Sequence, residues 1–201
     1  MKKKIQEKMS AFIDSEIFFG GKAILDNKRL KEVVDHCRGL GLRIVLTQGS
    51  WDLIHIGHAR YMREAKKHGD ILVVGVDSDE KIKKRKGPER PIVPQNERLE
   101  MVTHLRYVDL VALKELQDPK WNLIKLVRPD VLIASDRMEY TKKELAELKK
   151  HCGKVMVLDS QATTSTSAKI RHLQINTAKK LEKALTPRLL KTIEEVLNGV
   201  K

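Results

Sequence analysis

Residues 43–58, RIVLTQGSWDLIHIGH, pass from a β-branched apolar run through Gly49 and Gly57 into a helical pattern, and carry two histidines three positions apart. The first five have the length and composition of a strand buried on both faces, as in a parallel sheet. Ala59, Met62 and Ala65 then recur at helical spacing until Gly69-Asp70. The same alternation extends along the chain. Strands are expected at 71–76, 108–113, 131–134 and 154–158. Helices are expected around 30–37, ended by Gly39 and Gly41, and around 99–105, opening near Pro94. Asp118-Pro119 reads as an N-cap and first helical residue leading into 121–126, and Thr141 and Glu144 have capping-box spacing. An initial helix followed by repeated strand–helix units predicts an α/β fold: a doubly wound, Rossmann-like, five-stranded parallel sheet with helices on both faces. Residues 1–23 read as an N-terminal extension, 24–173 as the α/β domain, and 174–201 as a C-terminal helical extension. In the last, Leu189, Leu190, Ile193, Val196 and Leu197 follow Thr186-Pro187 at amphipathic spacing and Gly199 closes the pattern.

Composition narrows the partners. Forty Lys and Arg against 27 Asp and Glu leave a net charge of +13, which predicts an anionic ligand of unspecified class. No run approaches the ~18 apolar residues of a membrane helix, so no membrane role is expected. The basic start is not followed by an apolar stretch and cleavage site. Cys37 and Cys152 are far apart without metal-ligand spacing, so both are expected as thiols in a reducing cytoplasm. Only 4% of residues are aromatic, which leaves little surface for stacking bases and disfavours nucleic acid as the anion.

Three segments carry candidate chemistry. His55 and His58 flank Gly57 where a strand gives way to a helix, and a sharp turn at Gly57 would gather both imidazoles and the helix N-terminus at one spot. Such a terminus attracts phosphate through its N–H groups and dipole. Alone, His-x-x-His is a weak metal signal, with no third ligand cluster beside it. Residues 79–98 hold seven basic against four acidic side chains, with Gly87 and three prolines among them. That composition predicts a shaped basic loop at the sheet's carboxyl edge rather than a long helix. Taken alone, a lysine run is more often a solvated face. Residues 163–171, TTSTSAKIR, offer hydroxyls at a helix start, where an ordinary cap is the commoner meaning.

Together these strings resemble a family. GSWDLIHIGH resembles the Gly-x-Phe-Asp-x-x-His-x-Gly-His signature of the HxGH nucleotidyltransferase superfamily. KGPERPIVPQNERLEMVTHLRYVDLV is similar to the middle of its cytidylyltransferase-like branch, and STSAKIR to that branch's closing helix start. The order and spacing match from about residue 24 to residue 171. Within the branch the chain looks most like the adenylyltransferase domain of ADP-heptose synthase, next to glycerol-3-phosphate and ethanolamine-phosphate cytidylyltransferases. The resemblance implies attack by a substrate phosphate on the α-phosphorus of ATP or CTP, with pyrophosphate leaving. It assigns catalysis to His55, His58 and Lys86. Nucleotide binding falls to Gly49, Ser50, Trp51, Asp52, Gly57, Asp136, Ser165, Thr166 and Ser167, with Asp52 fixing the first loop and Asp136 near base and ribose. Phosphate or substrate falls to Arg90 and Arg98. Mg²⁺ is implied by the triphosphate, without a named protein ligand, and a second copy of the chain is a candidate partner.

There are departures. Trp51 stands where the family has Phe, LDSQATTSTS lacks an Arg-Thr-x-Gly-Ile, and ASDRMEY matches neither branch's pattern at that point. ATP or CTP and the identity of the acceptor stay open.

Overall fold

The computed structural model describes residues 21–135, 140–159, 161 and 166–199. In chain order the elements are α1 (Asn27–Gly39), β1 (Ile44–Gly49), α2 (Ile56–Lys66), β2 (Ile71–Asp77), α3 (Asp79–Lys86), α4 (Gln95–Thr103), β3 (Leu110–Lys114), α5 (Asn122–Val127), β4 (Val131–Ser135), α6 (Lys142–Leu148), β5 (Lys154–Leu158) and α7 (Thr166–Gly199). The five strands are all parallel, in the spatial order β3-β2-β1-β4-β5. The winding therefore reverses between β1 and β4, and ligands of such sheets bind at the carboxyl ends beside that reversal.

Alternation along the strands divides the core. Val45, Val74, Val76, Val111 and Ile133 face Met62 and Ala65 of α2 and Leu99 and Val102 of α4. Ile44, Leu46, Val73, Ala112 and Leu132 face Leu30 and Val34 of α1, Leu123, Ile124 and Val127 of α5, and Leu148 of α6. The doubly wound sheet with helices on both faces is thus present. Burial on both faces holds for β1, β2 and β4, whereas β5 is an edge strand that leaves Val157 58% exposed. Residues 22–24, expected to straddle the extension boundary, lie against the other edge: Ile24 donates to the Val111 carbonyl, and the Val111 N–H donates to Lys22.

Local chemistry sets the helix ends. Asp26 caps α1 by accepting the Arg29 N–H, and the Thr141–Glu144 capping box forms as expected. Three expectations are corrected. The basic stretch is a loop only over residues 87–94. Before it, α3 forms because Ser78 caps it, Asp79 and Glu80 occupy its first turn, and four basic residues occupy its last turn, matching the helix dipole at both ends. Gly87, at φ 97°, then turns the chain out. Asp118-Pro119 does not open α5. The Asp118 carboxylate accepts the Glu115 N–H and the Asn122 amide instead, closing a turn, and the helix starts at Asn122. The C-terminal helix starts at Thr166, far ahead of Thr186-Pro187, and carries Pro187 inside it. Pro187 has no N–H to donate to the preceding turn.

Contacts divide the chain into two compact units, Met1–Thr163 and Thr164–Lys201. The first contains the sheet and the second contains α7. Among the described residues, no helix is long and apolar enough to cross a membrane.

Candidate active site

β1 ends at Gly49, beside the reversal of the winding, and the loop it feeds carries the histidines. Two residues of this loop, Trp51 and Leu53, take left-handed backbone conformations, at φ 51° and 49°. The sharp turn therefore falls there. Gly57, where it was expected, lies within the first turn of α2. Asp52, between the two left-handed residues, holds them in place. Its carboxylate accepts the N–H groups of Ile92 and Val93 and pairs with Arg90, with Nη2 at 2.6 Å. Burial, the largest single influence, pushes the Asp52 pKa up, but the Val93 and Ile92 N–H groups and Arg90 outweigh it and hold the group below its ordinary value. Asp52 thus ties the first loop to the loop after α3.

The two histidines cap α2 reciprocally. His55 Nδ1 accepts the Gly57 N–H at 3.1 Å, and His58 Nδ1 accepts the His55 N–H at 3.2 Å. Their rings stand 4.2 Å apart. Because each Nδ1 is an acceptor, each neutral ring carries its proton on Nε2. The backbone thereby selects the tautomer in which both Nε2 atoms are donors. Such a pair at a helix N-terminus suits developing negative charge on phosphoryl oxygens.

Trp51, expected at the nucleotide, is instead a core residue. Its ring packs edge-on to His58 and beside Tyr61, and its Nε1 donates to the Gly75 carbonyl at 2.9 Å. The substitution for Phe therefore adds a hydrogen bond as well as volume. Arg98, expected on phosphate, is 1% exposed. Its Nε donates to the Val93 carbonyl, Nη1 to the Ser50 and Asp77 carbonyls, and Nη2 to the Asp79 carboxylate. A guanidinium spent this way joins the β1–α2 loop, the end of β2 and the loop before α4, which is a framework role. Arg90 is likewise engaged by Asp52. Lys86 ends α3 beside Gly87 and keeps solvent contact. Loss of water around its ammonium, then the nearby Arg85 and Arg90, push its pKa below the ordinary value.

Asp136 and Ser165 lie outside the described residues. Thr166 and Ser167 open α7, in the second unit. The expected Mg²⁺ finds no ligand set among the described residues, which contain no cluster of three or more His, Cys, Asp or Glu that could hold a metal. The buried carboxylates of Asp52 and Asp77 are both spent on cations.

Asp77, Arg85 and Lys114 were not singled out from the sequence. Asp77 is wholly buried, accepting from Arg85 at 2.8 Å and Lys114 at 3.0 Å, while Arg85 also donates to Ser50 Oγ. A signal was present: Asp77 and Lys114 are the last residues of β2 and β3, at the ligand-binding edge.

Residues 46–188 match the family described as Cytidylyltransferase-like. The chain is 38% identical over 133 residues, 65% of its length, to the Bifunctional protein HldE of a Nitratiruptor species, and 35% identical over 161 residues to that of Hahella chejuensis. It spans 28% and 33% of those two relatives. Among solved structures, the lipopolysaccharide core biosynthesis protein from Thermoplasma volcanium superposes with a TM-score of 0.52 at 30% identity, covering 60% of this chain and 98% of that one. A pantoate-beta-alanine ligase from Francisella tularensis shares the fold at 11% identity, also with a TM-score of 0.52, covering 70% of this chain and 67% of the other.

Proposed function

We propose, from the premise that this chain belongs to the cytidylyltransferase-like family and is a nucleotidyltransferase, that it transfers a nucleoside monophosphate from ATP to a phosphorylated sugar, most like a heptose 1-phosphate. The observation that carries the reading is the reciprocal cap of His55 and His58, which holds two imidazoles together at the N-terminus of the helix that follows β1 at the sheet's carboxyl edge.

In this reaction an oxygen of the acceptor phosphate attacks the α-phosphorus. The new P–O bond forms as the bond to the β-phosphate bridging oxygen breaks, and that electron pair leaves with pyrophosphate. His55 and His58 donate to the phosphoryl oxygens on which charge accumulates. Lys86 supplies a mobile cation that draws the two anionic reactants together. Asp52, Arg90 and Arg98 hold the loops on which these groups stand. Such chemistry depends on positioning and charge stabilisation. Mg²⁺ enters this reading only as the ion the triphosphate brings, and no step runs through it.

The resemblance of the 84–98 segment to the adenylyltransferase domain of ADP-heptose synthase supports the heptose reading, while the family's description keeps CTP as the alternative nucleotide. Pyrophosphate release measured with ATP and with CTP, each against heptose 1-phosphate, glycerol 3-phosphate and phosphoethanolamine, decides both. Release only with ATP and heptose 1-phosphate is the expected result. Release only with CTP moves the chain to the cytidylyltransferase alternative, and release with none sinks the reading. The cytoplasmic location and a homodimeric state are part of the same proposal. The row of exposed Leu181, Leu185, Leu189, Ile193 and Val196 on α7 supports the second.

A further inference from the structure

A cavity of about 400 Å³ opens at the carboxyl edge of the sheet, lined in part by Gln48, Lys81, Lys114, Asp118, Trp121 and Tyr140. It is built rather than incidental. Gly75 leaves room for its floor, since a Cβ there would meet Leu123 Cδ2 at 2.5 Å and Lys114 Cδ at 2.9 Å. Lys114, 15% exposed, is held by the wholly buried Asp77, and Asp77 also takes Arg85, which donates to Ser50 of the histidine loop. One carboxylate therefore couples the cavity floor to the catalytic loop.

The lining has a definite chemistry. Trp121 offers an apolar ring. Gln48, Asp118 and the Tyr140 hydroxyl, itself bonded to Gln48, suit neutral hydroxyl groups. Lys81 and Lys114 suit an anion: Lys81 is aimed by the Glu115 carbonyl and Lys114 by Asp77. A polyhydroxyl compound bearing a phosphate meets all of these at once, and the volume falls in the range of small-molecule sites.

We propose that this cavity is the acceptor subsite, that it takes a phosphorylated sugar, and that Lys114 is its specificity-determining cation; the inference rests on the nucleotidyl transfer proposed above. The test uses the full chain, Lys114→Gln and the double variant Asp77→Asn/Lys114→Gln. The second removes both charges together, so no buried carboxylate loses a partner. Calorimetric titration with heptose 1-phosphate, glycerol 3-phosphate, ATP and CTP is paired with acceptor KM from pyrophosphate release. In both variants the affinity for the phosphate ester should fall, and its KM rise, about tenfold or more, and in Lys114→Gln, which keeps the Asp77–Arg85–Ser50 link, nucleotide affinity should be unchanged. A loss of nucleotide affinity instead would assign the cavity to the nucleotide and overturn the inference. So would unchanged binding of every ligand, or failure of both esters to bind the wild-type chain. Lys114-dependent ester binding without pyrophosphate release would sink the proposed reaction and leave the subsite standing. Release with an unshifted acceptor KM would do the reverse.

Discussion

Asp52 sits between Trp51 and Leu53, whose left-handed backbones cost about 1 kcal/mol each for residues other than glycine. Its bonds to Ile92, Val93 and Arg90 offset that cost and lock the histidine loop before any substrate arrives. Trp51 contributes through its bond to the Gly75 carbonyl. Replacing it with the family's phenylalanine, Trp51→Phe, should lower unfolding free energy by about 1–2 kcal/mol and leave turnover within a few-fold. Chemical denaturation checks the first and pyrophosphate release the second; wild-type stability would show that the bond contributes nothing. The histidines could be picked out in the sequence because their geometry is local, a matter of spacing within one turn, whereas Lys86 stood out only through the family resemblance, as the lysine before Gly87. Arg98 was recognisable as important, but its role was not. Its partners Ser50, Asp77 and Asp79 reach it only through the order of the strands. Lys114 and Asp77 escaped notice for the same reason, lying 37 residues apart.

Among the elements, β2 shows how a strand can serve a site by lacking a side chain. Gly75→Ala forces a methyl into Leu123 and Lys114. Melting should show a destabilisation of about 1–3 kcal/mol, and acceptor KM should rise more than nucleotide KM. A neutral substitution would mean that the cavity floor yields easily. The termini of α1, α3 and α6 were written in short-range signals, Asp26, Ser78 and Thr141 acting as caps. The start of α7 was also signalled, by the hydroxyl-rich run 163–171, but its continuity past Thr186-Pro187 was not, because Pro187 resembles a helix opener and its tolerance inside a long helix has no local mark. The exposed apolar row of α7 belongs with the proposed dimer. Leu185→Lys/Ile193→Lys should shift gel filtration of the full chain from dimer to monomer, and a wild-type chain already running as a monomer would contradict the dimer.

Over the whole molecule, alternation of strands and helices was enough to predict the doubly wound sheet. The strand order, and with it the convergence of β1, β2 and β3 on one edge, came only with the folded chain. Acid stability follows from the carboxylates buried there. Burial raises the Asp77 pKa, but Lys114 and Arg85 bring it below its ordinary 3.8, and Asp52 is lowered by its own partners. Their stabilisation is fully present above the unfolded value and is lost as pH falls through the lower folded values. The melting temperature should therefore drop on acidification below about pH 4. The drop should be shallower in Asp77→Asn/Lys114→Gln, and identical slopes would contradict the pairing. Catalysis by the histidine loop is the central claim. Its most direct test is the rate of pyrophosphate release by wild-type chain, His58→Ala and Lys86→Ala with the acceptor and nucleotide that wild type uses, alongside nucleotide affinity and melting temperature. Each variant should fall by about a hundredfold or more while binding nucleotide like wild type, with Lys86→Ala melting like wild type and His58→Ala losing only the roughly 1 kcal/mol of a helix cap. Undiminished release from either variant would contradict the role given to that residue, and from both would overturn the site.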